Sequence, residues 1–440
     1  MVESIVFAVI TIVAFGIAIG RFKRLFKAIQ LGRPTNLEGP SSARWRNVFL
    51  VALGQRKMFK QVGPALFHFF IYAAFLLTQV ELIEILVDGF TGRHRVFAAP
   101  LGGFYTFVIS SIEVLSVLAL VATIIFLIRR NVMRISRFEK PEMAGWPKRD
   151  ANLILIGELL LITGFLSMNG ADVLLQELAP AQYPDTGTLA VSAWLGPALF
   201  GGLSEGTLVI IERAGWWGHV LVVYFFLNYL PYSKHLHIFL AFPNAYYSRL
   251  NPSGEMANMP EVMNEVKSLM GLIEETEMGM EDELPEFGSN DVHNLPRTTL
   301  LGAYSCTECG RCTDACPANQ TGKKLSPRKV MMDIRDRAEE VMDAVAEGTI
   351  ASAEEAGETG TPLMARITPE ELHACTTCQA CIDACPVLIN PLEPILELRR
   401  YEVLTAGEGP SEWIPMFNNI ENQGAVWPVT DTRDAWTREA

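Results

Sequence analysis

Cysteine is absent from the first 305 residues of this 440-residue chain, and all eight cysteines fall between positions 306 and 385. A disulfide framework running through the chain is thereby excluded. Charged residues are scarce at 19%, while half of the chain is hydrophobic. A disordered chain is more polar than that, and an ordinary soluble globule seldom reaches it. An excess of positive charge is missing too. The net charge of −13 argues against a nucleic-acid partner. The N-terminus lacks both the basic leading region and the small-residue cleavage site of a signal peptide. Its basic cluster follows the first apolar run, which therefore reads as a spanning anchor.

The averages conceal a division. Residues 1–249 carry 22 Lys and Arg against 15 Asp and Glu, whereas residues 250–440 carry 14 against 34. The first part holds five apolar runs, at about 4–20, 64–87, 103–128, 151–169 and 216–242. About 20 helical residues cross the hydrocarbon layer of a bilayer, so residues 1–245 read as a bundle of five transmembrane helices. Pro197, Gly201, Gly202, Ser204 and Glu205 interrupt the apolar stretch Leu189–Ile211, which reads as an outer loop with an interfacial helix. Segment 21–63 has ten Lys and Arg, and segment 129–150 has seven. The loops at 88–102 and 170–215 have only Arg93, Arg95 and Arg213. Basic loops stay inside. The N-terminus is then expected outside the inner (cytoplasmic) membrane, with residues 243–440 in the cytoplasm.

Four of the seven histidines, His68, His219, His235 and His237, fall on the second and fifth runs. On one continuous helix His219 and His237 point the same way, about 27 Å apart, with His235 on nearly the opposite side from His237. His68 and His237 match in depth near the inner ends of their runs. Two imidazoles at one depth can hold a haem b iron from both sides. The other reading is a set of interfacial histidines bonded to lipid or backbone. His219 has no histidine at its depth on the second run, where Thr78, Gln79 and Glu81 stand, so a second haem would need another ligand such as Met168 or His94. Glu81, Glu113 and Glu158 are carboxylates within spans, and such groups are functional candidates by default. They read either as proton carriers for a quinone or as partners in helix–helix hydrogen bonds.

The cysteines spell C-x2-C-x2-C-x3-C-P twice, at Cys306, Cys309, Cys312, Cys316 and at Cys375, Cys378, Cys381, Cys385. In this pattern three thiolates grip one [4Fe-4S] cube and the fourth crosses to the other. Cluster A is expected on Cys306, Cys309, Cys312 and Cys385, and cluster B on Cys375, Cys378, Cys381 and Cys316. Zinc would leave thiolates unused. Cys316 and Cys375 are 59 positions apart, and the stretch between them includes Pro327–Glu347, with a helical apolar period at Val330, Met331, Ile334, Ala338, Val341, Met342 and Val345. Residues 299–400 thus read as an α-helical dicluster ferredoxin domain, making the whole chain all-α. Residues 246–298 read as an acidic linker, with an amphipathic acidic helix at Glu261–Glu286, and residues 401–440 as a C-terminal extension.

The segment HVLVVYFFLNYLPYSKHLHIF from His219 to Phe239, with ALFHFF around His68, resembles the gamma subunit of respiratory nitrate reductase and the cytochrome b part of heterodisulfide reductase. The resemblance implies that His68 and His237 are axial ligands of an inner haem and His219 a ligand of an outer one. Its expected partner, ten residues beyond His68, is Thr78 here. The whole chain resembles a membrane Fe–S oxidoreductase of the heterodisulfide-reductase type, some members of which are electron-transfer-flavoprotein:quinone oxidoreductases. Such proteins continue into a domain with CCG repeats, and this sequence has no cysteine after Cys385. The resemblance implies a separate CCG-domain Fe–S subunit docked near residues 400–440, a cytoplasmic donor such as electron-transfer flavoprotein, and membrane quinone as acceptor. Two other expectations stay open: a heterodisulfide, lactate or glycolate oxidoreductase subunit using the same wire, and a non-catalytic relay and anchor in a larger respiratory complex.

Overall fold

The computed structural model describes residues 1–252, 254–273, 286–429 and 434–437. Within them no strand forms, and one isolated bridge joins Arg33 to Pro296. Five helices are long and apolar enough to cross a membrane: α1 (Val2–Gln30), α2 (Val62–Thr91), α3 (Gly103–Asn131), α4 (Trp146–Leu178) and α5 (Glu205–Tyr229). Helices suit a bilayer because each satisfies its own backbone polar groups. The first four contain the expected apolar runs and overrun them at one or both ends. Small residues set the close approaches, as expected where packing rather than water drives association. A Cβ on Gly215 would lie 2.8 Å from the Gly164 carbonyl oxygen, and one on Gly157 would strike the Phe226 ring.

The fifth helix differs from the run at 216–242. It begins eleven residues earlier, where Ser204 accepts the Thr207 N–H, and it ends at Tyr229. Pro231 has no N–H to continue the ladder. Two short 3-10 turns follow, at Leu230–Tyr232 and Lys234–Leu236, before α6 (His237–Tyr247). Asp150 pins the break by accepting from the hydroxyls of Tyr229 and Ser233 and from the Lys234 N–H. His219 and His237 therefore share no helix, and the register argument that linked them does not apply. The stretch before α5 holds a short helix, Ser192–Phe200, which tucks against α4 where Gly196 meets Gly170.

The second part is built from α7 (Arg297–Tyr304), α8 (Arg311–Ala315), α9 (Pro327–Ala346), α10 (Ala380–Ala384), α11 (Leu392–Arg400) and α12 (Trp413–Gln423), with shorter turns between them. Helix α9 starts at a Ser326 cap with Pro327 in its first turn. It buries the expected stripe Val330, Met331, Ile334, Ala338, Val341 and Met342. It also buries Arg337, which the apolar period does not reveal. That guanidinium is paired with Asp291 at 2.7 Å and bonded to the Ala356 and Thr359 carbonyls. Of the acidic segment expected as Glu261–Glu286, Pro260–Leu269 is helical and residues 274–285 lie outside the described residues. Residues 430–433 and 438–440 of the extension also lie outside them.

The two parts are closely joined. The Arg33 N–H bonds the Leu295 carbonyl at 2.9 Å, and the Arg297 N–H returns to the Arg33 carbonyl at 3.0 Å. The basic segments 31–61 and 132–145 lie at the end of the bundle that meets the cysteine-rich part. Lys57 bonds the Ile382 carbonyl, Lys60 pairs with Asp383, Arg137 with Asp314, and Arg328 with Glu142.

Candidate iron–sulfur and histidine sites

The two cysteine motifs fold alike. In each, the second residue after the first cysteine and the first residue after the second cysteine have positive φ: Glu308 (53°) and Gly310 (75°), Thr377 (55°) and Gln379 (61°). Left-handed backbone at non-glycine residues costs on the order of 1–2 kcal/mol each. Here it turns successive amides toward sulfur. The Glu308 N–H points to Cys306 Sγ at 3.4 Å, the Thr377 N–H to Cys375 Sγ at 3.5 Å, and the Ile389 N–H to Cys385 Sγ at 3.3 Å. Each motif then runs into a one-turn helix, α8 or α10, that ends at its fourth cysteine and its proline. These two helices pack on each other, so the fourth cysteine of each motif is carried to the other.

Cys306, Cys309, Cys312 and Cys385 line one cavity, closed by Arg328, Met331, Pro386 and Ile389. Cys316 stands within electrostatic reach of Cys375 and Cys381, and Cys378 completes that group. Burial pushes the thiols of Cys306 and Cys381 up to about 12 and that of Cys385 up to about 11, with neighbouring thiols adding to the rise. Such thiols resist ionisation unless a cation compensates them, and cluster iron is such a cation. The four-thiol cavity and the amides aimed at sulfur fit a [4Fe-4S] cube. The first group is the deeper: Cys306 and Cys385 are buried, whereas Cys378 in the second is exposed.

The loop of the first group reaches the bundle in two places. Glu308 is buried at 3% exposure and accepts from Lys234 and, at 2.8 Å, from Arg335. Burial opposes its charge, but Lys234 and Arg335 hold its carboxyl below the usual range. Arg311 bonds the Lys57 and Met58 carbonyls just before α2, and its charge reaches His68.

His68 and His237 come together with ring centroids 6.4 Å apart. A metal–imidazole bond of about 2.0–2.1 Å, with each centroid about 1.1 Å behind its nitrogen, puts two imidazoles about 6.3 Å apart across one metal. His68 Nδ1 is engaged by Gln55 Oε1 at 3.2 Å and His237 Nδ1 by the Lys234 carbonyl at 2.9 Å, and neither Nε2 has a hydrogen-bond partner among the described residues. His68 and His237 could thus hold a haem iron between them, a spacing that His235 and His237 also meet at 6.2 Å. His235 does not lie opposite His237, as one continuous helix would require. The 3-10 turn brings its ring to 6.2 Å from that of His237 and 5.4 Å from Phe226. Gln55, Lys234 and Glu308 are absent from the sequence-based set. Lys234 inside an apolar run, three residues after a proline, was the available signal.

The other candidates scatter. His219 lies mid-helix on α5 with a buried, unpartnered Nδ1. Met168 packs beside Gly215, one turn away. His94 is committed at the far end of the bundle, to Asp172 at 2.7 Å and Arg213 at 3.5 Å. There a buried Arg95 sits among Glu81, Glu84, Asp88, Tyr105, Asn169 and Asp172. Glu113 accepts from the Val191 and Ser192 amides, the Ser192 hydroxyl and Asn169. Glu81 is held only by a long Arg95 contact at 3.5 Å, and Glu158 has no polar partner among the described residues.

Comparison with known proteins bears on the cysteine motifs. Residues 305–389 match the family of 4Fe-4S dicluster domains, spanning both cysteine motifs. A probable iron-sulfur-binding oxidoreductase, FadF, of Bacillus subtilis (strain 168) is 27% identical over the whole chain, which covers 61% of that protein. An EtfAB:quinone oxidoreductase of Syntrophomonas wolfei is 27% identical over 87% of the chain and 52% of its own length. A probable membrane-anchored ferredoxin of Chromohalobacter salexigens is 33% identical, over 29% of the chain and 21% of its own length. The chain thus spans about half to three-fifths of the two relatives it matches at length. No solved structure matches it. The chain is an all-α iron–sulfur protein in which a domain for two [4Fe-4S] clusters is joined to five helices of membrane-spanning length.

Proposed function

We propose that this chain is the electron-transfer subunit of a membrane oxidoreductase, carrying electrons from a cytoplasmic donor to membrane quinone. Cys306, Cys309, Cys312 and Cys385 hold cluster A in this reading, and Cys375, Cys378, Cys381 and Cys316 hold cluster B. His68 and His237 would hold haem b, which when bound supplies a further one-electron carrier. The observation that carries the reading is Arg311. It stands between two cysteines of the deeper group and is bonded to the segment that positions His68. Exposed Cys378 makes the second group the side open to a soluble donor. The name of the Syntrophomonas relative favours electron-transfer flavoprotein as donor and quinone as acceptor. Ile414, Phe417 and Ile420 form an exposed apolar stripe on α12 that suits a docked CCG-domain subunit. Glu81 and Glu158, the carboxylates without strong donors, are the better proton carriers, and Glu113 reads as a structural anchor. The membrane-anchored ferredoxin relative supports a second reading, a relay without its own quinone site.

The test is direct. Purified chain with both clusters loaded is reduced by dithionite and mixed with a short-chain quinone. Prompt cluster reoxidation is expected, and its absence supports the relay. His68→Ala and His237→Ala should each remove the same b-type absorption band. If His235→Ala removes it and His68→Ala leaves it, the ligand pairing is wrong.

A further inference from the structure

A second cavity, of about 130 Å³, lies where α1, the break after α5 and the iron–sulfur part meet. That volume holds on the order of ten water molecules, room enough for one substituted six-membered ring. Arg21, Arg24, Leu25 and Ala28 supply one face of α1 at helical spacing, and Pro231 and Tyr232 supply the break. Tyr304, Glu339, Met342 and Asp343 close it from the iron–sulfur side.

Three observations set this cavity apart. Tyr304 is 4% exposed, and its hydroxyl has no hydrogen-bond partner among the described residues. A buried hydroxyl left unpaired is costly, so a lining donor of this kind points to a missing acceptor. Tyr304 is also two residues before Cys306, which lines the four-thiol cavity. Finally, Arg21 lies nineteen residues after Val2 on α1, about 29 Å along the axis, which is the thickness of a bilayer's hydrocarbon core. The cavity stands at the membrane boundary on the iron–sulfur side. Ile17, one turn back along α1, is 48% exposed and continues the apolar flank toward the bilayer. Glu339, which accepts no hydrogen bond among the described residues, stands at the rim with the exposed Asp343, which is paired with Arg24.

We propose that this cavity binds the head ring of a membrane quinone. Tyr304 donates to one carbonyl oxygen, and Arg21, held over the Tyr232 ring and bonded to the Asn228 carbonyl, faces the other side of the ring. The isoprenoid tail leaves along the exposed flank of α1. Reduction of the ring to the hydroquinone takes two electrons and two protons. The electrons come one at a time from the reduced iron–sulfur domain beside Tyr304, and the protons from water at the Glu339 rim. The proposal rests on the quinone-linked reading above and gives it a place outside the carboxylates of the bundle.

The test uses the full chain in lipid nanodiscs, both clusters loaded, with a short-chain azidonaphthoquinone as photoprobe. Label is expected on peptides containing Arg21–Ala28, Pro231–Tyr232 and Tyr304, and excess unlabelled naphthoquinone should suppress it. Tyr304→Phe, which keeps the ring, should weaken probe binding about tenfold while leaving cluster EPR signals intact. Glu339→Gln should slow reoxidation of reduced clusters with little change in labelling. Label confined to peptides around Glu81, Glu113 or Glu158, with reoxidation by quinone intact, overturns the site and leaves the quinone-linked function standing. Label displaced by phosphatidylglycerol but not by naphthoquinone makes it a lipid site and overturns the proposal. A wild-type protein whose reduced clusters quinone does not reoxidise overturns the functional reading itself.

Discussion

Replacing Lys234 by methionine tests how tightly the bundle is coupled to the iron–sulfur part. The lysine is 9% exposed, and its ammonium group bonds Glu308 and, at 2.7 Å, the Pro147 carbonyl. Methionine keeps most of the aliphatic length and removes the charge. Glu308, 3% exposed, would keep Arg335 as its one cationic partner. Removing one member of a buried ion pair costs about 3–5 kcal/mol, and the remaining guanidinium puts the expectation near the lower figure. At a urea dependence of about 2 kcal/mol per molar, the unfolding midpoint should fall by about 1.5 M.

The same substitution has an electrochemical signature. The Glu308 N–H is 3.4 Å from Cys306 Sγ, so the lysine charge is on the order of 10 Å from the four-thiol cavity. A unit charge at about 10 Å with an effective dielectric of about 20 is worth about 1.7 kcal/mol. For one electron that corresponds to about 70 mV. Losing a cation disfavours an added electron, so one of the two cluster potentials should move negative by about that amount. Adding Glu308→Gln removes the carboxylate that has lost one of its two cations and should recover most of both effects. Urea titration followed by near-ultraviolet circular dichroism and a redox titration followed by EPR read the two arms. A midpoint shift below about 0.3 M, or a double variant no better than the single, would refute the coupling.

Cys312→Ser should disturb the cluster of the first motif and Cys316→Ser that of the second, although they are four residues apart; EPR changes confined to one cluster in both variants would contradict cross-ligation. Glu113→Gln should destabilise the fold by about 2–3 kcal/mol, because an amide group would face donors, whereas Glu81→Gln should be nearly neutral; thermal melts of the two variants compare them. Glu142, although half-buried, is held below the usual carboxylate range by Arg328 and Ser326, so its contribution is complete above its ordinary value near 4.5 and lost as pH falls through the lower folded value. Stability curves of wild type and Glu142→Gln should therefore differ at pH 7 and converge in strong acid.

The residues legible in sequence were those whose role is set by short-range spacing. Two cysteine motifs of fixed spacing need only a local loop to declare their chemistry. The apolar period of Pro327–Ala346 likewise predicts the face that α9 buries. The fifth helix departs from its apolar run because hydrophobicity continues through Pro231 while the backbone ladder does not. A missing N–H and Asp150, 81 residues earlier in sequence, decide where the helix stops. That stop, in turn, places His235 beside His237. Gln55 and Glu308 were out of reach for the same reason. Each acts on a residue from another segment, and no periodicity within one segment encodes such a meeting.

The charge division gains a second meaning from the junction. Lys and Arg in the segments 21–63 and 129–150 argue for an inside location by their number alone. Several of them also make specific contacts with the acidic part. Lys60 meets Asp383 on α10, and Arg137 meets Asp314 on α8, so each motif helix has a cation from a different loop. These pairs are partly exposed and individually worth about 0–1 kcal/mol. Their value is positional: two loops fix the orientation of both motif helices, while the buried Lys234–Glu308 and Arg328–Glu142 pairs supply the stronger hold. A basic loop in such a chain therefore cannot be counted as a topology signal independent of docking. Selection for a dock on an acidic domain would produce the same bias, and both causes put the iron–sulfur part and the basic loops at one end of the bundle.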